Sequence, residues 1–409
     1  MDRPLRFCMV TTFYPPYNFG GDGIFVQRLS DELARRGHSV DVIHCIDAYR
    51  FMAGQDPVRG YEDHPNVTVH GLRSAFGALS PLATQQTGFP LFKSAQIDRI
   101  LNQGFDVIHY HNISLLGPKV LEIGRAVKLY TLHEYWLVCP THVLFKYNRK
   151  ACARPNCFLC TLVYHRPPQI WRYGGLLEAA AKHVDRFIAP SRFSEEKHRQ
   201  MGMTAPIVQL PHFVPAPEDH DASNAEVIEK ETTKPYFLFV GRLEKLKGLQ
   251  TVIPIFRAHG KAQLRIAGTG NYEAELRRLA GNNENIRFLG HVPGRQLSDY
   301  YQRAVAVLVP SICFETFGQV IVEALSRKTP AIVRNLGAMP EIIEQSGGGI
   351  VYDTDADLVA AMDSLLADPA RRRKLGQCGY DAYLRHWAPE VHLRMYLELI
   401  EEIRATKAP

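Results

Sequence analysis

YFLFVGRLEKLKG, residues 236–248, is the stretch whose reading decides the fold. Tyr236–Val240 form an apolar run of strand length, Gly241 interrupts it, and a basic segment with Arg242 and Lys247 leads to Gly248 and a helical pattern from about Leu249. A short strand without polar alternation belongs to a parallel sheet covered on both faces. The loops that carry ligands in such sheets lie outside the carboxyl ends of the strands. Arginine offers a two-pronged donor, lysine a point charge and the helix start its N–H groups, so this loop is competent to hold a diphosphate. A solvated basic loop accounts for the same residues equally well.

Downstream the alternation continues. Strands are expected at AQLRIAG, NIRFLG, VAVLVPS, PAIVRN and GGIVYD, with helices at NYEAELRRLA, RQLSDYYQRA and QVIVEALSRK between them. Upstream, RFCMVTTF, a glycine loop (Gly20, Gly21, Gly23), the helical IFVQRLSDELARRG and the strand HSVDVIHCI form one βαβ unit, in which Leu29 and Leu33 share a face and Gly37 follows the helix. FDVIHYH, AVKLYTLH, VDRFIAPS and PIVQLPHFV read as further strands. The expected fold is therefore α/β, two Rossmann-like domains facing across a cleft. Their expected limits are 1–216, a Pro-flanked polar linker at 217–234, 235–385, and a C-terminal helix at 386–409 that crosses back to the first domain.

Length and composition agree. A chain of 409 residues exceeds one core at about 150 residues per domain, and 46% hydrophobic with 22% charged residues describes a globular protein. The 48 basic against 42 acidic residues leave +6, which suits phosphorylated small molecules or an anionic surface. No zinc-finger, RNP or helix-turn-helix pattern points to nucleic acid. The N-terminus reads as a first strand rather than a signal peptide, and no segment approaches the about 20 apolar residues of a membrane span. A cytoplasmic protein is expected, with peripheral contact at the inner face of the membrane open through basic patches such as RRRK, residues 371–374.

The second informative stretch is CFETFGQVIVEALS, residues 313–326. Glu315 falls in the loop after a strand, Gly318 near a helix start, and Glu323 within that helix. Two carboxylates so placed can accept hydrogen bonds from paired sugar hydroxyls. Taken alone, the pair fits a helix-dipole glutamate and a solvated one as well.

GRLEKLKG, PSICFETFGQVIVEA and NLGAMPEII, in that order, resemble the donor domain of retaining glycosyltransferases of family 4, with the GT-B fold. The resemblance implies transfer of a sugar from a UDP- or GDP-sugar to a hydroxyl of a saccharide or lipid-linked saccharide, in polysaccharide or glycolipid biosynthesis. It implies that Arg242 and Lys247 hold the diphosphate, that Glu323 takes the ribose hydroxyls and Glu315 those of the transferred sugar, and that the backbone at Phe317, Gly318 and Gln319 contacts sugar and phosphate. Gly241 forms the turn, and the loop at Gly20–Gly21 closes over donor and acceptor. No cofactor or metal is required for catalysis, because the leaving phosphate itself helps deprotonate the acceptor. Ala338 replaces a glycine frequent in relatives, a methyl that would narrow the sugar pocket. A sugar phosphorylase or nucleotide-sugar epimerase of the same fold, or a non-catalytic nucleotide-sugar-binding protein, remains the alternative.

On the acceptor side, His109 and His111 share a strand face while Tyr110 takes the other. The resemblance carries a role facing the reacting sugar to His111. His133 and Glu134, at the edge of the next strand, are candidates for acceptor binding or for satisfying one another. Finally, Cys139, Cys152, Cys157 and Cys160 follow C-x12-C-x4-C-x2-C within an insertion at about 139–160. They fit either a closed structural zinc site, with His142 as a substitute ligand, or free packed thiols.

Overall fold

Short apolar runs that leave no face for water must be covered by helices, and the strands here assemble accordingly into parallel sheets. The protein, described by a computed structural model over residues 3–57, 62–217 and 234–407, contains two such sheets. The expected linker at 217–234 lies, but for its two end residues, outside the described residues.

In the first unit the strands are β1 (Arg6–Val10), β2 (Ser39–Cys45), β3 (Val67–Leu72), β4 (Val107–Tyr110) and β5 (Val127–Thr131), a two-residue antiparallel hairpin of β6 (Phe145–Lys146) and β7 (Lys150–Ala151), then β8 (Arg186–Ala189) and β9 (Ile207–Gln209). The seven-stranded sheet has the order β3-β2-β1-β4-β5-β8-β9. Phe7, Cys8, Met9 and Val10 of β1 are wholly buried, with Phe7 opposite Val107 and Val40. Leu29 and Leu33 bury one face of the helix Gly21–Arg35, and Gly37 adopts φ +86° just past its end. The edge strand β3 had no counterpart in the sequence reading. Only its ends, Val67 and Leu72, are buried, with Thr68 and Gly71 exposed and Val69 and His70 half-buried between them, so its apolar signal is weak.

In the second unit β10 (Tyr236–Val240), β11 (Gln263–Ala267), β12 (Ile286–Gly290), β13 (Val307–Val309), β14 (Ala331–Arg334) and β15 (Gly349–Tyr352) take the order β12-β11-β10-β13-β14-β15. Both sheets thus have the doubly wound order, in which the chain reverses direction beside the first strand of the unit. The helix Gln319–Leu325 stops three residues short of the expected end, where Lys328 turns into the left-handed region at φ +57°.

By contacts, the residues up to Leu210 group with the tail from Leu393, and Pro211–His392 form the second unit. The tail is held in the first unit by Tyr396 Oη against His109 Nδ1 at 2.9 Å and by Lys407 Nζ donating to Asp185 Oδ2 at 2.6 Å. Residues 211–216 group with the second unit because Val214 N–H donates to the Trp387 carbonyl at 3.0 Å, Tyr383 Oη donates to the Val214 carbonyl at 3.1 Å, and the His212 ring packs edge-on against Phe317.

Candidate active site

The switch point of a doubly wound sheet leaves a crevice beyond the first strand and the strand on its other side. In the second unit those strands are β10 and β13, and the two loops singled out in the sequence follow them. Gly241 ends β10 at φ +151°, and its carbonyl lies where a Cβ at Gly268 would fall. The loop then makes a 3-10 turn at Lys245–Lys247 and reaches Gly248, at φ +77°, directly before the helix Leu249–His259. A Cβ on Gly248 would overlap the Pro310 carbonyl oxygen, and Ile312 N–H donates to the Leu246 carbonyl at 2.9 Å. The two loops are therefore packed backbone to backbone.

This packing brings Lys247 and Glu315 together. Lys247 Nζ donates to Glu315 Oε1 at 2.8 Å, and Ser311 Oγ donates to the same oxygen at 2.7 Å. The side chains are 29% and 22% exposed, enough for a ligand to reach them. Burial alone would raise the Glu315 carboxyl, but the Lys247 charge, with hydrogen bonds from Lys247 and Ser311, holds it below the usual glutamate range. The Lys247 ammonium is in turn raised, the Glu315 charge outweighing its burial. Arg242, 52% exposed, pairs with Glu244 through Nη1 and Oε1 at 3.0 Å, an exposed pair that an incoming anion can exchange at small cost.

Phe317 is buried against His212, so only its backbone is available to a ligand. A Cβ on Gly318 would meet Ile321 Cδ1 at 2.7 Å and Ile342 Cδ1 at 3.0 Å, so the missing side chain serves inward packing. Gln319 opens the following helix, and Glu323 on its next turn accepts from Tyr301 Oη at 3.0 Å. The Ala338 methyl corrects one expectation: the residue is wholly buried, so it cannot narrow an open sugar pocket. Gly337 is the constrained position of that pair, at φ +69° with a Cβ that would meet Glu315 N at 2.8 Å, and Ala338 N–H donates to the Glu315 carbonyl at 3.1 Å. Ser311 and Tyr301, which orient the two glutamates, were not singled out in the sequence. A serine closing a strand and a tyrosine on a distant helix acquire meaning only through the fold.

The first unit supplies a second cluster at β1 and β4, its own switch point. Gly21, exposed, begins the helix Gly21–Arg35, and Asn18 Nδ2 donates to the Gly20 carbonyl at 2.7 Å. His109 and His111 lie side by side with ring centroids 4.0 Å apart and planes tilted by 36° on one face, while Tyr110 Oη donates to the Val120 carbonyl on the other. His111 Nδ1 lies 2.9 Å from His133 Nε2, so one ring donates a hydrogen bond to the other. Burial pushes His133 down to about 4, against the opposing charge of Asp22, and the ring is neutral at pH 7. Glu134 takes His142 instead, through Oε2 and Nδ1 at 2.7 Å.

That pairing removes His142 from the cysteines. Of the two alternatives left open for the cysteines, the zinc site is not supported: among the described residues no group of three or more His, Cys, Asp or Glu side chains is arranged to hold a metal ion. Cys139, Cys152, Cys157 and Cys160 do line one small cavity of about 10 Å³. Burial first, then the neighbouring cysteines, pushes Cys157 up to about 11 and also raises Cys152, so these groups are thiols rather than thiolates. Cys139 Sγ lies 3.2 Å from Thr141 Oγ1, and Cys160 Sγ accepts from Tyr147 N–H at 3.4 Å.

His44, His198 and His392 share the fate of His133, each pushed to about 4 chiefly by burial. Their folded values lie below the about 6.5 of an unfolded histidine, so their contribution is fully present above pH 6.5 and is lost as the pH falls from there towards 4. Urea titrations across this window should show stability falling with each step down, by about 1.4 kcal/mol per pH unit for each proton taken up on unfolding. A midpoint that stays level between pH 6.5 and 4.5 contradicts neutral burial.

Two family models match the chain, "Glycosyltransferase Family 4" over residues 19–216 and "Glycosyl transferases group 1" over 221–382. A D-inositol 3-phosphate glycosyltransferase of Corynebacterium kroppenstedtii is 34% identical over 401 residues, covering 90% of this chain and 82% of its own. An uncharacterised glycosyltransferase of Methanocaldococcus jannaschii is 26% identical over 399 residues, covering 89% and 90%. Among solved structures, the sucrose-phosphate synthase of Thermosynechococcus elongatus superposes with a TM-score of 0.77 at 22% identity, over 98% of this chain and 100% of that one. HepE of Anabaena, in complex with UDP and glucose, gives 0.68 at 16% identity over 97% and 99%.

Proposed function

Because the chain belongs to the family-4 glycosyltransferases of GT-B fold, we propose that it transfers a sugar from a nucleoside-diphosphate sugar to a hydroxyl acceptor with retention at the anomeric carbon. The observation that carries this reading is the Lys247–Glu315–Ser311 cluster, a cation and a sugar-competent carboxylate held at one loop junction beyond β10 and β13. Lys247 and Arg242 take the diphosphate, Arg242 leaving Glu244 for a phosphate oxygen, and the N-terminus of the helix Leu249–His259 adds its dipole. Glu315 accepts from hydroxyls of the transferred sugar and Glu323 from the ribose, with Gly241 and the backbone at Phe317, Gly318 and Gln319 lining the donor. In the first unit His111, oriented by His133, addresses the reacting sugar. We assign the Gly21 amide to donor binding, and His133 and Glu134 to the acceptor.

In the proposed step the bond from the anomeric carbon to the diphosphate oxygen breaks as the acceptor oxygen bonds to the same face. The acceptor proton passes to the leaving phosphate. The cations stabilise the charge that develops there, and the remaining groups position the reactants. The donor is a UDP- or GDP-sugar, and the acceptor a saccharide or lipid-linked saccharide of polysaccharide or glycolipid synthesis, met in the cytoplasm or at the inner membrane face. No helix among the described residues is long and apolar enough to cross a membrane.

Incubation with UDP- and GDP-sugars and an acceptor panel tests the proposal, with nuclear magnetic resonance of the product. Nucleoside diphosphate release coupled to a glycoside of unchanged anomeric configuration is expected. An inverted product refutes retention, and epimer formation without acceptor, or donor binding without turnover, refutes transfer.

A further inference from the structure

The first unit contains a cavity of about 630 Å³ that shares Cys157 with the small cysteine cavity, within the range of about 300–1,000 Å³ typical of small-molecule sites. Its walls include Leu137, Leu177, Val184 and Met203, and its rim Phe158 and Tyr173. The rim does not end at the cavity mouth. Phe158 is 46% and Tyr173 66% exposed, and Leu162 and Ile170 beside them in sequence are 48% and 62% exposed. Apolar surface left in water at this density marks a place where an apolar partner settles.

Three charged side chains line the cavity, the exposed Glu178 and Lys182, of opposite sign, and Arg172. Its guanidinium lies between two indoles, 4.8 Å from the Trp136 ring centre and 4.9 Å from that of Trp171. Arg172 Nε donates to Gln169 Oε1, whereas the buried Nη2 has no hydrogen-bond partner among the described residues. A buried donor on a cation that spends none of its hydrogens at that nitrogen is costly unless an acceptor completes it. Burial pulls the group down to about 10, so it remains charged at neutral pH. The cavity thus pairs one buried cationic donor, unpartnered among the described residues and beside the solvent-exposed charges of Glu178 and Lys182, with largely apolar walls and an apolar exposed rim.

We propose that this cavity binds a lipid phosphate, with the phosphate on Arg172 and the chain along the apolar wall and over the Phe158–Tyr173 rim towards a lipid surface. A free phosphate leaves the apolar walls wet, and a neutral lipid leaves Nη2 unpaired, so neither satisfies both halves of the site. The inference deepens the transferase reading by giving its acceptor a lipid anchor, and it rests on that reading for this point alone.

The full chain has three tryptophans, two of which flank Arg172, so intrinsic fluorescence reports binding without donor sugar. Farnesyl phosphate should produce a saturable change at a concentration about tenfold or more below farnesol, and inorganic phosphate none, since a charge-assisted hydrogen bond separates the first two. Arg172→Gln should bring farnesyl phosphate and farnesol to the same affinity. Tyr173→Asp, at an exposed site that leaves folding intact, should weaken both. Equal wild-type binding of farnesol and farnesyl phosphate overturns the proposal, as does unaltered binding by Tyr173→Asp or the absence of any saturable change. Sugar transfer to a water-soluble acceptor with no farnesyl phosphate binding rejects the lipid site alone, whereas lipid binding with no transfer to any acceptor rejects the transferase reading alone.

Discussion

Lys247→Ala is expected to lower kcat/KM for sugar transfer about 10²–10³-fold, the scale on which removal of one group stabilising developing charge acts. Two effects reach the reaction together. On the proposed mechanism the leaving diphosphate loses a cation, and Glu315 loses both its 2.8 Å donor and the charge that holds its carboxyl below the usual range. Burial then raises that carboxyl, opposed by Ser311 and Arg242 alone, so residual activity should shift its acid limb to higher pH. Steady-state kinetics across a pH series, beside Lys261→Ala as an exposed-lysine control, measure both. Because Lys247 and Glu315 act as one unit, Lys247→Ala/Glu315→Gln should cost far less than the sum of its parts. Additive losses, or a Lys247→Ala enzyme within about threefold of the wild type, would show that the pair does not serve the chemistry.

Gly248→Ala is expected to cost about 3 kcal/mol or more, combining about 1–2 kcal/mol for a left-handed residue with an overlap that no side-chain rotation relieves. The added Cβ would fall on the Pro310 carbonyl oxygen, part of the backbone joining β13 to the loop of Glu315. Gly260 gives the matched control. It has φ +68°, close to the +77° of Gly248, but open space where its Cβ would stand. Gly260→Ala should therefore show the conformational cost alone, and urea denaturation of the two variants separates the terms. Equal destabilisation would mean that the two loops are not packed as described.

Much of the second unit was legible because its central strands are buried on both faces. Tyr236–Val240 and Ala331–Arg334 need no partner to be recognised, since continuous apolar runs bounded by glycine or proline specify covered strands. β3 was illegible for the complementary reason. An edge strand with half-exposed residues carries little apolar pattern, and its pairing with β2 supplies what its composition lacks. The cysteine spacing left zinc and free thiols both open, because spacing along the chain does not state which way side chains point. His142 turned to Glu134, and burial raises the Cys152 and Cys157 thiols.

The sequence by itself determined two parallel α/β units, the loop bearing Arg242 and Lys247, and the carboxylates Glu315 and Glu323, because hydrophobic period, glycine position and charge are local properties of a chain. Only the tertiary structure decided that Lys247 and Glu315, 68 residues apart, share a hydrogen bond, that Ser311 and Tyr301 orient the glutamates, and that His111 meets His133. Strand order brings β10 beside β13 and β4 beside β5, and the choice of neighbour is made by the sheet as a whole. A pairing set by long-range register leaves no mark on either residue's own surroundings in the chain.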